Sequence, residues 1–420
     1  MRFLFDKNTW QEIFGSISKN KTRTIITVIG VLWGIFIYIA LSGSAKGLDN
    51  GFEKEFESIA INSMFAWSQN TSMPYKGYKT GRKIQLKLSN VKTLKNRIPE
   101  IQYIAPRNVK GIFGDLPGVV VRGQKSGSYP VYGDFPVLTK IAAKKIFDGG
   151  RFINDKDIQK ARKVCVIGER TQKELFKKNE SPIGQFVKID NVHFLVVGVL
   201  KFKQGGGFDG DGDIFIPFST YKKLYNTSDN VGWFAIAAYD NVDVMKVEED
   251  VKSVLKSVHN VHPDDERAIG SFNLGEIFNK INGFAKGMTF LSLVVGIATI
   301  LAGVIGIGNI LLISVKERTK ELGVRRALGA TPREVRGLII LESVFLTIIA
   351  GVLGIIIGAG VLAIIGSLTT DIDMPYTNPT VPIPYVVGAL FIMVILGTLI
   401  GLIPAQRAVS IKPIDALREE

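Results

Sequence analysis

The amino-acid sequence predicts an α-helical membrane protein with four transmembrane helices and a mixed α/β extracytoplasmic domain inserted between the first and second helices. Two observations predict this fold class. The mean hydropathy is positive although 21% of the 420 residues are charged, which is typical of apolar segments joined to a water-exposed part. In addition, four apolar stretches are each long enough to cross a hydrocarbon layer of about 30 Å.

The apolar stretches set the predicted order of segments. The four spans are assigned to residues 24–45, 284–315, 337–368 and 383–404. Around them we assign an amphipathic leader, the extracytoplasmic domain with helical stalks, a cytoplasmic loop, a short external loop and a tail, at residues 1–23, 46–283, 316–336, 369–382 and 405–420. Because the first apolar run has a long basic leader and is longer than a signal-peptide core, we expect an uncleaved anchor.

The distribution of lysine and arginine predicts the orientation in the plasma (inner) membrane. Basic residues are concentrated in the leader, the 316–336 loop and the tail, whereas the 369–382 connection contains Asp371 and Asp373 and neither lysine nor arginine. Short loops rich in basic residues stay on the cytoplasmic side. Both termini and the 316–336 loop are therefore expected in the cytoplasm. Residues 46–283 are expected outside, because long domains translocate largely regardless of their charge.

The net charge of +14 and the single cysteine bear on two questions: whether the chain binds nucleic acid and whether it contains a disulfide. Because the basic residues lie beside the spans, the charge indicates contact with membrane lipid, and no nucleic-acid partner is expected. Cys165 is the only cysteine, so an intramolecular disulfide is excluded. It lies in the apolar run 164–167 and is expected to be a buried strand residue.

Small residues recur at four-residue spacing within the predicted spans. Such spacing permits close approach of helix backbones in lipid, although glycine is in any case commoner in membrane helices. The pairs are Gly30 and Gly34, Ala302 and Gly306, Gly354 and Gly358, and Gly397 and Gly401. Glu342 is the only acidic residue inside the spans. It is expected either to face the bundle or a partner, or to extend to the nearby interface.

Two amphipathic stretches predict helices that continue beyond the membrane as stalks. Apolar residues recur at helical spacing among charged ones after the first span and before the second. They are Leu48, Phe52, Phe56 and Ile59 in the first stretch, and Ile277, Phe278, Ile281, Phe284 and Met288 in the second. The alternative for the second stretch is a separate short helix docked on the extracytoplasmic domain.

The extracytoplasmic domain shows alternating strand and helix patterns but no catalytic or metal site. Strands are predicted at 118–122, 164–167, 186–189, 194–199 and 234–238, and a helix at 242–258. Three aspartates, Asp209, Asp211 and Asp213, resemble the start of a calcium loop, but position twelve is Thr220 instead of glutamate, so a glycine-rich hairpin is favoured. The histidines lack a recognisable ligand set or nucleophile partner; they are His193, His259 and His262.

The loop after the second span has the most informative sequence. Charged residues come first and small ones follow, and Gly329 is placed to end a helix. Thr331 is placed to cap the next helix, with Pro332 at its first position and Glu334 at the capping-box position. The pattern predicts a short cytoplasmic helix that turns sharply into the third span, so that a push on the loop would move a membrane helix. The alternative is an ordinary basic interfacial helix.

The stretch SVKERTKELGVRRALGATPREV resembles the signature after the second span of MacB-type, FtsX-like ABC permeases. The leader TWQEIFGSISKNKTRTIITVIGVLWGI, the segments NRIPEIQYIAP, FDGGRFINDKDIQKARKVCVIG, SPIGQFVKIDNVHFLVVGVL and IFIPF, and the ending IPAQRAVSIKPIDALREE resemble successive parts of the same family. The resemblance covers nearly the whole chain in the family's order.

The resemblance implies a homodimer, or a heterodimer with a paralogous permease, in which the loop is a coupling helix against an ABC ATPase. It assigns the ATPase contact to Glu317, Arg318, Glu321, Arg325, Arg326 and Gly329. The chain contains no Gly-Lys dipeptide, so a GxxxxGK[ST] phosphate loop is excluded and the ATPase is expected on a separate subunit. No cofactor is expected on this chain, because ATP and Mg²⁺ would be bound by the partner.

The expected function is that of a non-catalytic permease subunit. Members of this family convert ATP hydrolysis into movements of their external domains (mechanotransmission), here to export peptides, drugs or lipoproteins, with a membrane-fusion protein and an outer-membrane channel as further partners. Two alternatives stay open at this stage. One is an FtsX-like regulator of an external cell-wall hydrolase, and the other is a sensor module for antimicrobial peptides.

Overall fold

A computed structural model of the chain divides into two compact units, one of residues 1–52 with 282–420 and one of residues 53–281. The structure describes residues 7–19, 21–55, 59–178, 180–202, 209–369 and 376–410. Several predicted features lie outside the described residues: the start of the leader, Phe56, residues 205–208 of the glycine-rich hairpin, Asp371 and Asp373, and the tail from residue 411.

Four of the helices in the described residues are much longer than the others, namely the second, ninth, eleventh and twelfth along the chain. In chain order they are α1 (Lys7–Lys19), α2 (Lys21–Glu55), α3 (Ser89–Arg97), α4 (Leu138–Ile141), α5 (Asp155–Gln159), α6 (Glu169–Leu175), α7 (Phe218–Tyr225), α8 (Val244–Val258), α9 (Leu274–Glu317), α10 (Thr319–Ala327), α11 (Pro332–Thr369) and α12 (Ile383–Ser410).

The strands all lie between α2 and α9. They are β1 (Ser63–Ser68), β2 (Leu86–Lys87), β3 (Ile101–Lys110), β4 (Gly118–Arg122), β5 (Lys125–Tyr129), β6 (Val131–Asp134), β7 (Val164–Gly168), β8 (Phe186–Ile189), β9 (Val192–Leu200), β10 (Ile214–Pro217), β11 (Asn230–Val231), β12 (Trp233–Ala238) and β13 (Ile269–Asn273).

Among the residues that the structure describes, four helices are long and apolar enough to span a membrane, namely α2, α9, α11 and α12. The predicted fold class is therefore confirmed: this is a multi-pass membrane protein with an α/β unit between its first and second spans. With 44 residues, α9 is about 66 Å long at 1.5 Å per residue, roughly twice the thickness of the hydrocarbon layer. The amphipathic stretch from Ile277 to Met288 belongs to this one helix, so the alternative of a separate short helix is wrong.

The first amphipathic stretch is only partly helical. Leu48 and Phe52 belong to α2, which continues past the predicted span to Glu55. The prediction for Ile59 was wrong, because this residue forms an isolated antiparallel bridge with Ala142. Its side chain is buried with Phe65 and Leu274 in an apolar cluster of the α/β unit. Tertiary packing therefore overrides the helical spacing at this position.

The seven glycines predicted at four-residue spacing each have a neighbour from another long helix within 4 Å of an added Cβ atom. A Cβ atom added to Gly354 would lie 2.8 Å from the Leu32 carbonyl oxygen, and one added to Gly358 would lie 2.7 Å from a side-chain carbon of Ile39. The other predicted glycines have neighbours as well: Gly34 near Thr299, Gly30 near Gly303, Gly306 near Thr27, Gly397 near Thr347 and Gly401 near Ser343. The remaining predicted small residue, Ala302, is exposed. Close backbone approach is the way helices associate in lipid.

Hydrogen bonds between small polar side chains join the same helices. Ser42 on α2 and Ser292 on α9 share a buried hydrogen bond of 2.9 Å between their hydroxyls. The Ser343 hydroxyl on α11 donates to the Gly397 carbonyl on α12 at 2.8 Å. Each such bond contributes about 0.6 kcal/mol in a membrane.

The α/β unit is built on one mixed sheet with strand order β13-β1-β12-β3-β6-β10-β7-β9-β8-β4-β5. Neighbouring strands are antiparallel except for the β10–β6 and β7–β9 pairs. The five predicted strands are present as β4, β7, β8, β9 and β12, and the predicted helix is α8. Cys165 is fully buried in β7, as the apolar run indicates. Helix α8 buries a stripe of apolar residues against this sheet: Val244, Val247, Val251 and Leu255.

Candidate coupling site

The sequence between the second and third spans folds into the short helix α10, which is joined closely to α9 on one side and α11 on the other. Helix α9 ends at Glu317, Arg318 lies between the two helices, and α10 begins at Thr319. We call residues 316–336 the coupling loop and α10 its coupling helix.

A C-terminal hydrogen-bond motif ends α10 where the sequence predicts. Gly329 has a φ of +104°, a left-handed conformation in which a side chain would be strained. The Gly329 N–H donates to the Arg326 carbonyl at 3.2 Å, and the Ala330 N–H donates to the Arg325 carbonyl at 3.0 Å. These two bonds form a Schellman motif, which satisfies carbonyls that a helix end leaves unpaired.

A reciprocal capping box begins α11 immediately afterwards. The Thr331 N–H donates to Glu334 Oε2 at 2.8 Å, and the Glu334 N–H donates to Thr331 Oγ1 at 3.4 Å. Pro332 is the first residue of α11, where its missing N–H costs nothing. The predicted helix stop and capping box are therefore confirmed, and the turn between α10 and α11 has a defined geometry.

An apolar cluster holds the coupling helix against the long helices of its unit. Leu322 on α10 is buried, and it packs with Val315 on α9, Val335 and Ile339 on α11, and Ala405 and Ala408 on α12. Burial of a leucine side chain contributes about 2 kcal/mol. The coupling helix is thus packed on three membrane helices at once, which makes it part of their end rather than a loosely attached loop.

Two of the predicted ATPase-contact residues interact with other parts of this chain. Arg326 Nη1 donates to the Val409 carbonyl at 2.6 Å, near the C-terminal end of α12. Arg325 Nη1 forms an ion pair with Glu12 Oε2 on α1 at 2.8 Å. Sequence reasoning missed Glu12, and the one available signal is that Glu12 is the only acidic residue in the α1 sequence.

The exposed surface of the coupling loop combines apolar side chains with charged ones of both signs. Glu321, Val324 and Leu328 are exposed and recur at helical spacing, and Glu317 at the end of α9 is exposed as well. Leu328 has an exposed fraction of 83%. Gly329 is also exposed, whereas Arg318 is half-buried. Of the six predicted contact residues, Glu317, Glu321, Arg325 and Gly329 are exposed.

A small cavity, lined by both charged and apolar residues, lies beside the coupling helix. Its volume is about 20 Å³, enough for one water molecule. Glu342 of α11 lines it and is buried, so this carboxylate lies within its unit rather than at the surface. The other charged residues that line the cavity are Glu12, Arg318, Glu321 and Arg325.

The aspartates of the calcium-loop pattern are engaged by basic side chains or backbone. Asp209 forms ion pairs with Arg107 and Lys144, and Asp211 lies 3.1 Å from Arg170 Nε. Asp213 accepts a hydrogen bond of 2.6 Å from the Gly210 N–H. In the part of the chain that the structure describes, no group of three potential ligands could hold a metal ion.

The histidines are dispersed over the α/β unit. His259 follows α8 and shares a hydrogen bond of 3.1 Å with Asn90 on α3. Burial and the nearby Arg82 hold the pKa of His259 below its usual value. His262 packs edge-on against Tyr75, and His193 is exposed in β9.

A buried charge cluster in the α/β unit was not predicted. Arg107 on β3 forms two hydrogen bonds with Asp134 on β6, of 2.7 and 2.9 Å, and its guanidinium lies 4.7 Å from the centre of the Tyr132 ring. Lys144 joins the cluster through Asp209, and burial together with the positive charge of Arg107 lowers the pKa of Lys144 to about 7. These partners are far apart in sequence, so a local pattern could not identify them.

Comparisons with known proteins cover both units. The model described as MacB-like periplasmic core domain matches residues 24–254, and the model described as FtsX-like permease C-terminal matches residues 293–413. The macrolide export ATP-binding/permease protein MacB of Bdellovibrio bacteriovorus is 28% identical over 410 residues, which are 97% of this chain and 61% of that protein. The pyoverdine export ATP-binding/permease protein PvdT of Pseudomonas putida is 30% identical over 411 residues, which are 96% of this chain and 58% of that protein.

Solved structures are similar over the α/β unit. The periplasmic region of MacB from Actinobacillus actinomycetemcomitans is 24% identical, with a TM-score of 0.43, and the match covers 54% of this chain and 95% of that one. The chain spans about three fifths of the length of the curated relatives that it matches.

Proposed function

This chain belongs to the family that joins a MacB-like periplasmic core domain to an FtsX-like permease C-terminal region, and from that premise we propose that it is the permease part of an ABC exporter. A separate ATPase subunit energises it by contacting the coupling loop. The chain contains no Gly-Lys dipeptide for a phosphate loop, so ATP and Mg²⁺ are assigned to the partner and not to this chain.

The observation that carries this proposal is the fixed geometry of the coupling helix. Because the capping box and the Schellman motif define its turn into α11, α10 cannot tilt without moving the start of that helix. Leu322 in the apolar cluster adds contacts to α9 and α12. A force applied to α10 would therefore reach three membrane helices directly.

The contact surface for the ATPase is assigned to the exposed side of the coupling loop. Glu317, Glu321 and Gly329 keep their predicted role, and the exposed Val324 and Leu328 are added to it. Exposed apolar side chains rimmed by charges are typical of a protein–protein interface. Arg325 and Arg326 are instead assigned to contacts within the chain.

The proposal also covers the orientation of the chain in the membrane and the subunits with which it assembles. The chain lies in the inner membrane with both termini and the coupling loop in the cytoplasm, as the basic short connections indicate. It acts as a homodimer, or with a paralogous permease. A membrane-fusion protein and an outer-membrane channel would be further partners. The cargo class is the one expected from the sequence: peptides, drugs or lipoproteins.

The mechanism that we propose is mechanotransmission. ATP-driven movement of the ATPase displaces α10 and with it the packed ends of α9, α11 and α12. Helix α9 is uninterrupted from Leu274 to Glu317, and its first turns belong to the α/β unit, so it can carry that displacement beyond the membrane. The α/β unit would then act on the cargo outside the membrane.

The exchange Leu328→Glu tests the ATPase contact. We expect this charge to reduce co-purification of the ATPase from native membranes about tenfold, as for loss of an interface contact of about 1.4 kcal/mol. The matched control is Leu116→Glu, because Leu116 in the α/β unit has the same exposed fraction of 83%. Mass spectrometry of the purified complexes gives the readout. Equal recovery of the ATPase with both variants, or the absence of any ATPase from the unmodified complex, would contradict the proposal.

A further inference from the structure

Helix α1 is held firmly on α11 by aromatic and apolar contacts. The rings of Trp10 and Phe345 meet edge-on with their centroids 5.0 Å apart, and Phe14 contacts the same Phe345 ring at 5.6 Å. Ile13 is almost completely buried, and Thr9 is buried as well. Edge-to-face ring pairs contribute about 0.5–1.5 kcal/mol beyond burial of their surface. The leader helix therefore has a fixed place beside the third span.

This packing places Glu12 against the coupling helix. Glu12 Oε2 lies 2.8 Å from Arg325 Nη1, and the two side chains are exposed by 25% and 51%. An ion pair that water reaches so easily contributes at most about 1 kcal/mol to stability. The ion pair therefore adds little to the stability of the fold. It joins the middle of α10 to α1 and so favours one position of α10 relative to α1.

A second contact holds the coupling helix on another side. Arg326 follows Arg325 directly, and consecutive residues of an α-helix point about 100° apart. The Arg326 guanidinium donates to the Val409 carbonyl in the last turn of α12, where a cation is favourable. Two adjacent arginines thus connect α10 to two different helices, and together they define its rotation about its own axis.

We propose that the leader helix α1 sets the rotational orientation of the coupling helix through the Glu12–Arg325 ion pair, and that efficient energy coupling requires this orientation. Glu12 and Arg325 are positioning residues, since they act through the placement of Glu321, Val324 and Leu328. This inference rests on the proposed function. It assigns a role to the leader helix that neither the loop sequence nor the membrane spans indicate.

The surroundings of Arg325 explain why loss of the pair changes orientation rather than folding. Arg325 lines the small cavity together with Glu321 and Glu342. When Glu12 is replaced, the guanidinium can turn towards these carboxylates, while Leu322 stays buried in the apolar cluster. The coupling helix would then remain folded in a different rotation.

Charge reversal tests the proposal in the assembled transporter. We expect Glu12→Arg and Arg325→Glu each to lower transport per ATP hydrolysed about fivefold, and the double variant Glu12→Arg with Arg325→Glu to return it to within about twofold of the unmodified protein. Co-purification of the ATPase should fall much less than the roughly tenfold loss expected for Leu328→Glu, because the contact residues themselves are retained. Gln11→Arg is the control, because it introduces an arginine at the exposed neighbouring position of α1 without removing Glu12.

Cross-linking tests the geometry without any ATPase. Cysteines at positions 12 and 325 should be joined efficiently by a short bifunctional maleimide in membranes, and cysteines at positions 11 and 325 should not. The native Cys165 does not interfere, because it is fully buried and burial raises the pKa of its thiol.

Each result decides a separate point. Equal cross-linking of both cysteine pairs, or failure of the double reversal to restore coupling, would overturn the role of the ion pair. Loss of ATPase binding in Glu12→Arg would show that Glu12 is part of the contact surface and would also overturn it. If no ATPase accompanies the unmodified chain, the proposed function fails and the coupling role of α1 fails with it, even where the cross-link forms.

Discussion

At the scale of single residues, the α/β unit depends on buried carboxylates that collect many hydrogen bonds. Asp265 is fully buried and accepts bonds from the Ser72 hydroxyl at 2.6 Å, the Ser72 N–H at 2.7 Å and the Met73 N–H at 3.1 Å. Burial alone raises the pKa of Asp265, but these bonds and the Ala268 N–H outweigh it and hold the pKa below the usual value. The ionised carboxylate thus fastens residues 72–73 to the segment that follows α8.

The exchange Asp265→Asn should destabilise this connection by about 2 kcal/mol, because an amide N–H would face backbone donors and one acceptor would be lost. Hydrogen exchange at Ser72 and Met73 in the full chain should rise accordingly.

Since the pKa of Asp265 in the folded protein is depressed, the stabilisation by its carboxylate is complete above about pH 4 and is lost as the pH falls through that folded-state pKa. In Asp265→Asn this acid dependence should be absent. Asp264→Asn is the control, because the Asp264 side chain is 83% exposed, and an equal effect of both exchanges would refute the assignment.

At the scale of elements, local chemistry determines how much of the coupling loop could be predicted. Gly329, Thr331 and Glu334 act on backbone groups within a few residues of themselves, so their spacing alone predicts the helix end and the capping box. The pairing of Arg325 with Glu12 joins residues in different helices. No periodicity contains that information, so the sequence alone could not predict the contacts that Arg325 and Arg326 make within the chain.

Among the strands and the long helices, too, features that depend on neighbouring residues could be predicted, whereas features that depend on distant residues could not. Strands with a continuous apolar run, such as β7 and β9, could be predicted, whereas β5, with the sequence KSGSY, has no such pattern and is a strand because it pairs with β4. The continuity of α9 follows from unbroken helical spacing. Ile59 had the same spacing but lies outside α2, because its burial beside Leu274 determines its place.

Glycine contacts between the spans lead to a prediction at this scale. Gly354→Ala should lower the melting temperature in detergent, because its Cβ would lie 2.8 Å from the Leu32 carbonyl oxygen and force α2 to shift, at a cost of about 1–3 kcal/mol. Gly360 is in the same helix and has open space around it. Gly360→Ala should therefore leave stability unchanged or raise it by up to about 1 kcal/mol through helix propensity. Shifts of the same sign in the two variants would show that the Gly354 contact does not limit packing.

At the scale of the whole molecule, the proposed function requires that the coupling loop and the α/β unit face opposite sides of the membrane. Four spans place residues after the first and before the second on one side, and residues between the second and third on the other. The basic short connections predict that the coupling loop lies in the cytoplasm. An ATPase can reach it only there, whereas cargo released outside must meet the α/β unit.

Labelling of two matched positions tests this arrangement. Leu116→Cys and Leu328→Cys place thiols at equally exposed sites in the α/β unit and the coupling loop. In spheroplasts, an impermeant maleimide should react with the cysteine at position 116 and not with that at position 328, and after permeabilisation it should react with both. The unmodified chain should stay unlabelled throughout, because its single thiol is buried. Reaction at position 328 in intact spheroplasts would place the coupling loop outside, where no ATP-driven subunit could act on it.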